Sequence, residues 1–189
     1  MVVNDSSTTP ASRAGRPARL SQQAVVGEAM RHDIRNMTMR DLARGLGVSH
    51  GALYRWVAST DDLIDLISRT IIDRVLPNDE PTADTWEHWL RQIAHSMHDE
   101  FLAVPGFATR TAGPHRHNHD TMLDLHHALT TGFRAGGATL DSAATSAYIF
   151  GVCLVSWIGA CERQLEFGTS IPDFDTFLDT LFTGLPTRQ

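Results

Sequence analysis

The sequence predicts an all-α protein, with a small three-helix unit at its N-terminal end and a larger helical domain after it. Apolar residues recur at spacings of three and four through most of the chain after residue 20, the period of one helix face. These segments open after Ser, Thr or Asp and close at Gly or Pro, as helices do. No internal repeat and no convincing alternating run appears, so strands are not expected.

Residues 1–19 read as a disordered, weakly basic tail carrying Arg13, Arg16 and Arg19 around Pro17. Such an arm can follow DNA phosphates or remain a solvated end. Ser21 is a fitting cap for a first helix to about His32, with Leu20, Ala24, Val25 and Ala29 inward. Asp33–Asn36 is a turn, with Ile34 and Met37 plugging the small core. Thr38 caps a second helix, in which Met39, Leu42, Ala43 and Leu46 form one apolar face. Gly47 suits the left-handed residue that closes it. Val48 is expected as a buried pivot, and Ser49 caps a third helix from His50 to Trp56. That helix buries Leu53 and leaves His50, Ala52, Tyr54, Arg55 and Trp56 pointing elsewhere. Two short helices joined by a 3–4-residue turn with Gly form a helix-turn-helix, whose second helix enters the DNA major groove.

Ser59 or Thr60 caps a fourth helix with Asp61 and Asp62 in its first turn, where the helix dipole favours acids. Leu63, Ile64, Leu66, Ile67, Ile71, Ile72 and Val75 give it a broad apolar face, and Pro77–Pro81 ends it. The domain boundary falls inside this helix, dividing a DNA-binding unit, 20–66, from a second domain, 67–189. A fifth helix is expected from near Thr82 to about Ala103, and Pro105-Gly106 breaks it. A short helix over Phe107–Thr111 follows, then a loop with His115, His117 and His119. Asp120–Phe133 is the seventh helix, and Gly136-Gly137 turns the chain. Leu140–Glu166 reads as one long helix, apolar all round in its middle, and so expected to be covered on several sides. Phe174, Phe177, Leu178, Leu181, Phe182 and Leu185 mark a final amphipathic helix.

The charge is uneven. Residues 1–60 hold eight arginines against four carboxylates, net +4; residues 61–189 hold eight against eighteen, net −10. A basic head on an acidic body points to a polyanionic partner for the head alone. The uncharged run Ala143–Cys161 is marginal for a membrane span and reads as a buried helix, with no membrane partner. The first twenty residues lack the apolar core of a secretory signal. Cys153 and Cys161 share one helix roughly 12 Å apart, too far to bridge. A reduced, cytoplasmic protein is expected.

The stretch Thr38-Met39-Arg40-x-Leu42-Ala43-x-x-Leu46-Gly47-Val48-Ser49-x-x-Ala52-Leu53-Tyr54-x-x-Val57, followed by Leu63 and Ile64, resembles the TetR family of bacterial transcriptional regulators. The resemblance covers roughly residues 20–76. Beyond it, residues 86–102 and 141–155 are similar in hydrophobic pattern to the tetracycline-repressor branch. The resemblance implies a homodimer that binds a palindromic operator of double-stranded DNA and is released by a small-molecule effector. The C-terminal domain would enclose that effector, and its last two long helices would pair across the dimer axis. Arg40 would contact a base or phosphate, and the N–H groups of Thr38 or Met39 would lie near phosphate. Ser49, His50, Gly51, Ala52 and Arg55 would face base edges or backbone, with Tyr54 and Trp56 on phosphates and thymine methyls. Thr60 stands where most members carry a phosphate-binding Lys, Val57 where they carry an aromatic and Asp33 where they carry Gly. The positions that hold the tetracycline–magnesium complex are Leu76, Ile93 and Thr111 here, so a tetracycline sensor is not expected.

Candidate effector contacts are Trp86, Trp89, Ile93, Met97, Phe101, Phe107, Met122, His126, Tyr148 and Trp157, which would suit a hydrophobic or aromatic molecule. The same residues equally suit plain core packing. The alternative keeps the fold and makes the regulator metal- or redox-responsive, through the His-rich loop or Cys153. Alternating loop histidines project to opposite sides, however, and no cysteine or acid completes a ligand set. No Gly-rich phosphate loop, Gly-x-Ser-x-Gly elbow or Cys-x-x-Cys pair is present, so an enzyme is not expected and no cofactor is implied.

Overall fold

The computed structural model describes residues 20–113, 119–165 and 171–185, with the side chain of His119 excepted. The basic tail and the His115 and His117 positions lie outside them. Nine helices and no strand occur among the described residues, as the helical periodicity predicts.

Ser21 opens α1 (Gln22–Ala29) by accepting from the Ala24 N–H. This helix ends three residues earlier than expected, in a turn through His32. Val25, Val26 and Ala29 are buried and Ala24 is exposed, so Val26 takes the inward place expected of Ala24. Thr38 caps α2 (Met39–Gly45), and Gly47 takes the left-handed conformation at φ 64°. Val48 is half-buried rather than buried. Ser49 caps α3 (His50–Leu53), which is shorter than expected. Tyr54 closes it, and the N–H groups of Trp56 and Val57 both return to the Leu53 carbonyl in a tight turn.

The helix α4 (Thr60–Val75) buries Leu63, Ile64, Ile67, Ile71, Ile72 and Val75. It packs on α1 at one side and on α5 (Trp86–Leu102) and α7 (His119–Ala135) at the other. It therefore belongs to both halves of the chain. The start of α5 is four residues later than expected, because the Thr85 hydroxyl accepts from the Thr82 N–H and holds 82–85 as a turn. A short α6 (Phe107–Ala112) follows Gly106, whose φ of 82° breaks the helix line.

The long α8 (Leu140–Glu162) packs on α7, α6 and α5. Arg163 caps it and Gln164 turns left-handed, so the helix stops short of Glu166. Its coverage is one-sided, against expectation. Ala143, Ala147, Phe150, Leu154 and Ile158 are buried, whereas Leu140, Tyr148, Ile149 and Val152 are exposed. By length and composition α8 alone, among the described residues, would pass for a membrane span. The final α9 (Phe174–Gly184) lies on α5: Arg91 pairs with Asp179 at 2.7 Å and places its guanidinium 4.7 Å over the Phe182 ring.

Candidate nucleic-acid interface and effector domain

The helix-turn-helix is built on Leu42, Ala43 and Leu53, all buried, with Val57 closing the core below α3. Burying the apolar side chains of so short a motif leaves its polar ones outside. Thr38, Arg40, Ser49, His50, Gly51, Tyr54, Arg55 and Trp56 are exposed, and Ala52 and Thr60 are half-buried. Met39 is buried, so of this residue only the backbone can reach a partner. The rings of His50 and Tyr54 meet edge to face at 4.6 Å, which fixes both on the outer side of α3.

Thr38 differs from expectation in its chemistry. Its hydroxyl caps the Asp41 N–H, and its own N–H donates to the Asp41 carboxylate at 3.2 Å. This reciprocal capping box occupies the backbone donor that the resemblance assigns to phosphate. Asp41 also binds Arg44 at 2.9 Å. The hydrogen bond from the Thr38 hydroxyl holds the Asp41 carboxyl below its ordinary range. Arg40 and Arg55 carry no ion pair among the described residues.

In the second domain, Trp89, Ile93, Met97, Phe101 and Phe107 are all buried, packed with their neighbours in one continuous core. Trp86 contacts Phe133 at 6.2 Å and Phe182 at 6.0 Å, and Phe133 meets Phe150 at 5.8 Å. This cluster ties α5, α7, α8 and α9 together. Phe182 of the final amphipathic helix belongs to it, and so does Phe150, which the sequence did not single out. Trp157 stacks on Phe177 at 4.3 Å. Two expected pocket residues stand apart from this interior: Met122 is 40% exposed and Tyr148 67% exposed. His126 is half-buried on α7. A groove of about 620 Å³ lies elsewhere, between α1 and α4, beside Val26, Met30, Leu66 and Arg69.

Two histidines of α5 have partners on α9. His95 meets Asp175 at 3.0 Å, and His98 stacks on Phe174. Among the described residues no group of three His, Cys, Asp or Glu is placed to hold a metal. Both cysteines are free, and burial pushes the Cys161 thiol up, away from a reactive thiolate.

The junction between the two halves has its own chemistry. Glu162, the last residue of α8, accepts from the Gly106 N–H at 2.6 Å and from the Thr109 N–H at 2.7 Å. Its carboxylate thus caps the orphan donors at the start of α6. One turn earlier, Gly159 lets α6 approach closely, since a Cβ there would sit 2.6 Å from the Ala112 Cβ. On the far side, Arg110 of α6 pairs with Asp61 of α4 at 2.7 Å. No short sequence pattern signals Glu162, because its partners are more than fifty residues away.

This architecture, a small helix-turn-helix unit joined by a shared helix to a larger helical domain, is the fold of the TetR-family regulators. The TetR-family protein ActR of Streptomyces coelicolor, crystallised with (S)-DNPA, superposes with a TM-score of 0.72 at 19% identity, over 89% of this chain and 98% of that one. BioQ with its double-stranded DNA operator superposes at a TM-score of 0.69 and 22% identity, over 88% and 98%. BioQ of Mycobacterium smegmatis gives 0.69 at 24% identity, over the same shares. No family model and no curated protein matches the sequence.

Proposed function

We propose that this chain is a TetR-family transcriptional repressor: a cytoplasmic homodimer that binds palindromic operator DNA and is released by a small hydrophobic or aromatic effector. The observation that carries this reading is the exposure of Arg40, His50, Tyr54, Arg55 and Trp56 around a buried helix-turn-helix core. Arg is the commonest reader of guanine through its O6 and N7 acceptors. BioQ, which shares the fold, is seen with its operator, and ActR is seen with actinorhodin.

Residues 20–66 serve as the DNA-binding unit and 67–189 as the effector and dimerisation domain. The exposed face of α8, with Leu140, Tyr148, Ile149 and Val152, supplies the dimer surface; an apolar stripe of this kind is costly to leave in water. The effector enters among Trp86, Trp89, Ile93, Met97, Phe101, Phe107 and Trp157, with His126 as a polar contact. Apart from the half-buried Trp157 and His126, these side chains are packed in the core, so a bound molecule must displace helices to fit. Displacement of α6 or α8 then reaches the DNA-binding unit through Glu162, the 105–106 turn and the Arg110–Asp61 pair. The effector acts by favouring the arrangement that spaces the two recognition helices wrongly for successive major grooves. No catalysis is involved in this cycle.

The test is an electrophoretic mobility shift with the DNA upstream of the gene, run against a panel of aromatic compounds. A retarded complex that one compound dissolves is the expected result. Failure to retard any duplex, with turnover of a panel compound, would replace this reading with an enzymatic one.

A further inference from the structure

Arg35 stands among the cations of the DNA-binding unit, yet its guanidinium is already occupied. Its Nε and one terminal nitrogen donate to the two oxygens of Asp33 at 2.9 and 2.7 Å, and its backbone N–H donates to Asp33 Oδ1 at 3.0 Å. A guanidinium paired in this two-pronged way offers a phosphate a largely cancelled charge. Asp33 in turn knits the turn between α1 and α2. Its carbonyl accepts from the Asn36 and Met37 N–H groups, and its carboxylate accepts from the Asn36 amide at 3.3 Å. The Asp33–Arg35 pair therefore moves with that turn as one unit.

This unit rests on Gly106. A Cβ on that glycine would lie 2.8 Å from Arg35 Cγ, so the aliphatic stem of the arginine lies against the 105–106 turn. The N–H of the same glycine donates to Glu162 of α8 at 2.6 Å. Gly106 is thus gripped twice, by α8 through its N–H and by the α1–α2 turn through packing. Charge reinforces the arrangement. Asp33 first, and then the Glu162 charge, hold the Arg35 guanidinium in its charged form beyond the ordinary range. Arg35 in this way answers to one carboxylate of its own turn and to one from the far helix. The bond from the Ile34 N–H to the Pro105 carbonyl, 2.8 Å long, lies beside it and registers any shift.

We propose that Arg35 is a positioning residue for operator binding. It seats the α1–α2 turn on the 105–106 turn beside the Glu162 carboxylate, and so fixes the recognition helix relative to α8 without touching DNA. The inference rests on the DNA-binding reading above and adds the residue that receives the signal Glu162 passes on. A dimer must present two recognition helices at one spacing, so a loose seat weakens binding although no DNA contact is lost.

The test compares wild type, Arg35→Gln, Glu162→Gln and the double variant, all as full chains. Fluorescence anisotropy on the gene's upstream DNA is read from about 50 to 200 mM NaCl. Each single variant should bind about 2- to 30-fold more weakly, the range for residues that couple sites without contacting a ligand. The double variant should be no weaker than the worse single one, because both changes loosen the same contact. The slope of log affinity against log salt should keep its wild-type value. A slope lower by about two, one phosphate from each protomer, would make Arg35 a DNA contact and overturn the inference. Additive losses, or wild-type affinity in Arg35→Gln, would overturn it as well. Hydrogen exchange at the Ile34 amide reads the seat without DNA, and should quicken in Arg35→Gln and in Glu162→Gln alike. Wild-type protection of that amide in Arg35→Gln sinks the inference whatever the DNA result. If wild type binds no duplex, the DNA-binding reading fails and the operator role of Arg35 goes with it, while exchange at Ile34 still decides whether Arg35 seats the turn.

Discussion

The backbone N–H of Ile34 donates to the carbonyl of Pro105 across 2.8 Å. The turn between α1 and α2 is thereby bonded to the turn between α5 and α6, so the helix-turn-helix feels the position of α6 directly. Gly106 makes the approach possible. At its φ of 82° a Cβ would lie 2.5 Å from Asp33 Oδ1 and 3.0 Å from the Arg35 nitrogen. Gly106→Ala should lower stability by about 1–3 kcal/mol, from left-handed strain and overpacking together. For a chain of this size that is a fall of roughly 2–4 °C in melting temperature per kcal/mol. Differential scanning calorimetry measures it; an unchanged midpoint would mean that the contact is slack.

Glu162 reaches the same turn from α8. Glu162→Gln keeps the shape but sets an amide N–H₂ against one of the two backbone donors that the carboxylate now satisfies. The loss should be about 1.5–3 kcal/mol, the scale of hydrogen bonds to a charged group. DNA affinity should change as well, although residue 162 lies outside the helix-turn-helix. A stability loss with wild-type operator affinity would remove this residue from the coupling route.

The proposed dimer surface is tested on α8. Tyr148→Glu with Val152→Glu should give folded monomers by light scattering, because both side chains already face water in the single chain. Phe177 and Leu181 are poorer choices, although pairing of the last two helices suggests them. Phe177 stacks on Trp157, and Leu181 packs against the core, so Glu there would detach α9. A persistent dimer in the Tyr148/Val152 variant would move the interface elsewhere.

Acid sensitivity follows from the capping box. The Thr38 hydroxyl holds Asp41 low, and Arg35 does the same for Asp33. A carboxyl whose folded pKa is depressed contributes stability that is present above its unfolded value, near pH 4, and lost as pH falls through the folded one. The melting midpoint should therefore fall as pH drops below about 4. Asp41→Asn should melt lower at neutral pH and respond less to acid, so that the two curves converge. Parallel curves would assign the acid limb to other carboxylates.

The helix-turn-helix was legible in sequence because its signals are local: Thr38, Gly47 and Ser49 punctuate it and Leu42 and Leu53 mark its inside. The same holds for the order of the nine helices. What escaped was non-local. Nothing near Glu162 announces a partner at residue 106, and nothing in the apolar middle of α8 says which side faces water. Tyr148 and Met122 have the composition of pocket residues and are exposed, because hydrophobicity alone does not distinguish an internal face from an outer one. The periodicity of α5 located Trp89, Ile93 and Met97 inside, yet a packed core and an effector site share that pattern. Asp41 could have been found, since Thr-x-x-Asp is one methylene short of the usual capping box.

The central claim is that the edge carrying Arg40 and Arg55 grips operator DNA. Arg40→Ala and Arg55→Ala should each weaken binding to the upstream DNA by about 10- to 100-fold, the range of about 1–3 kcal/mol per base-reading arginine. Melting temperature and dimer mass should stay unchanged. Wild-type affinity in both variants, or loss of the dimer with the affinity, would contradict the claim.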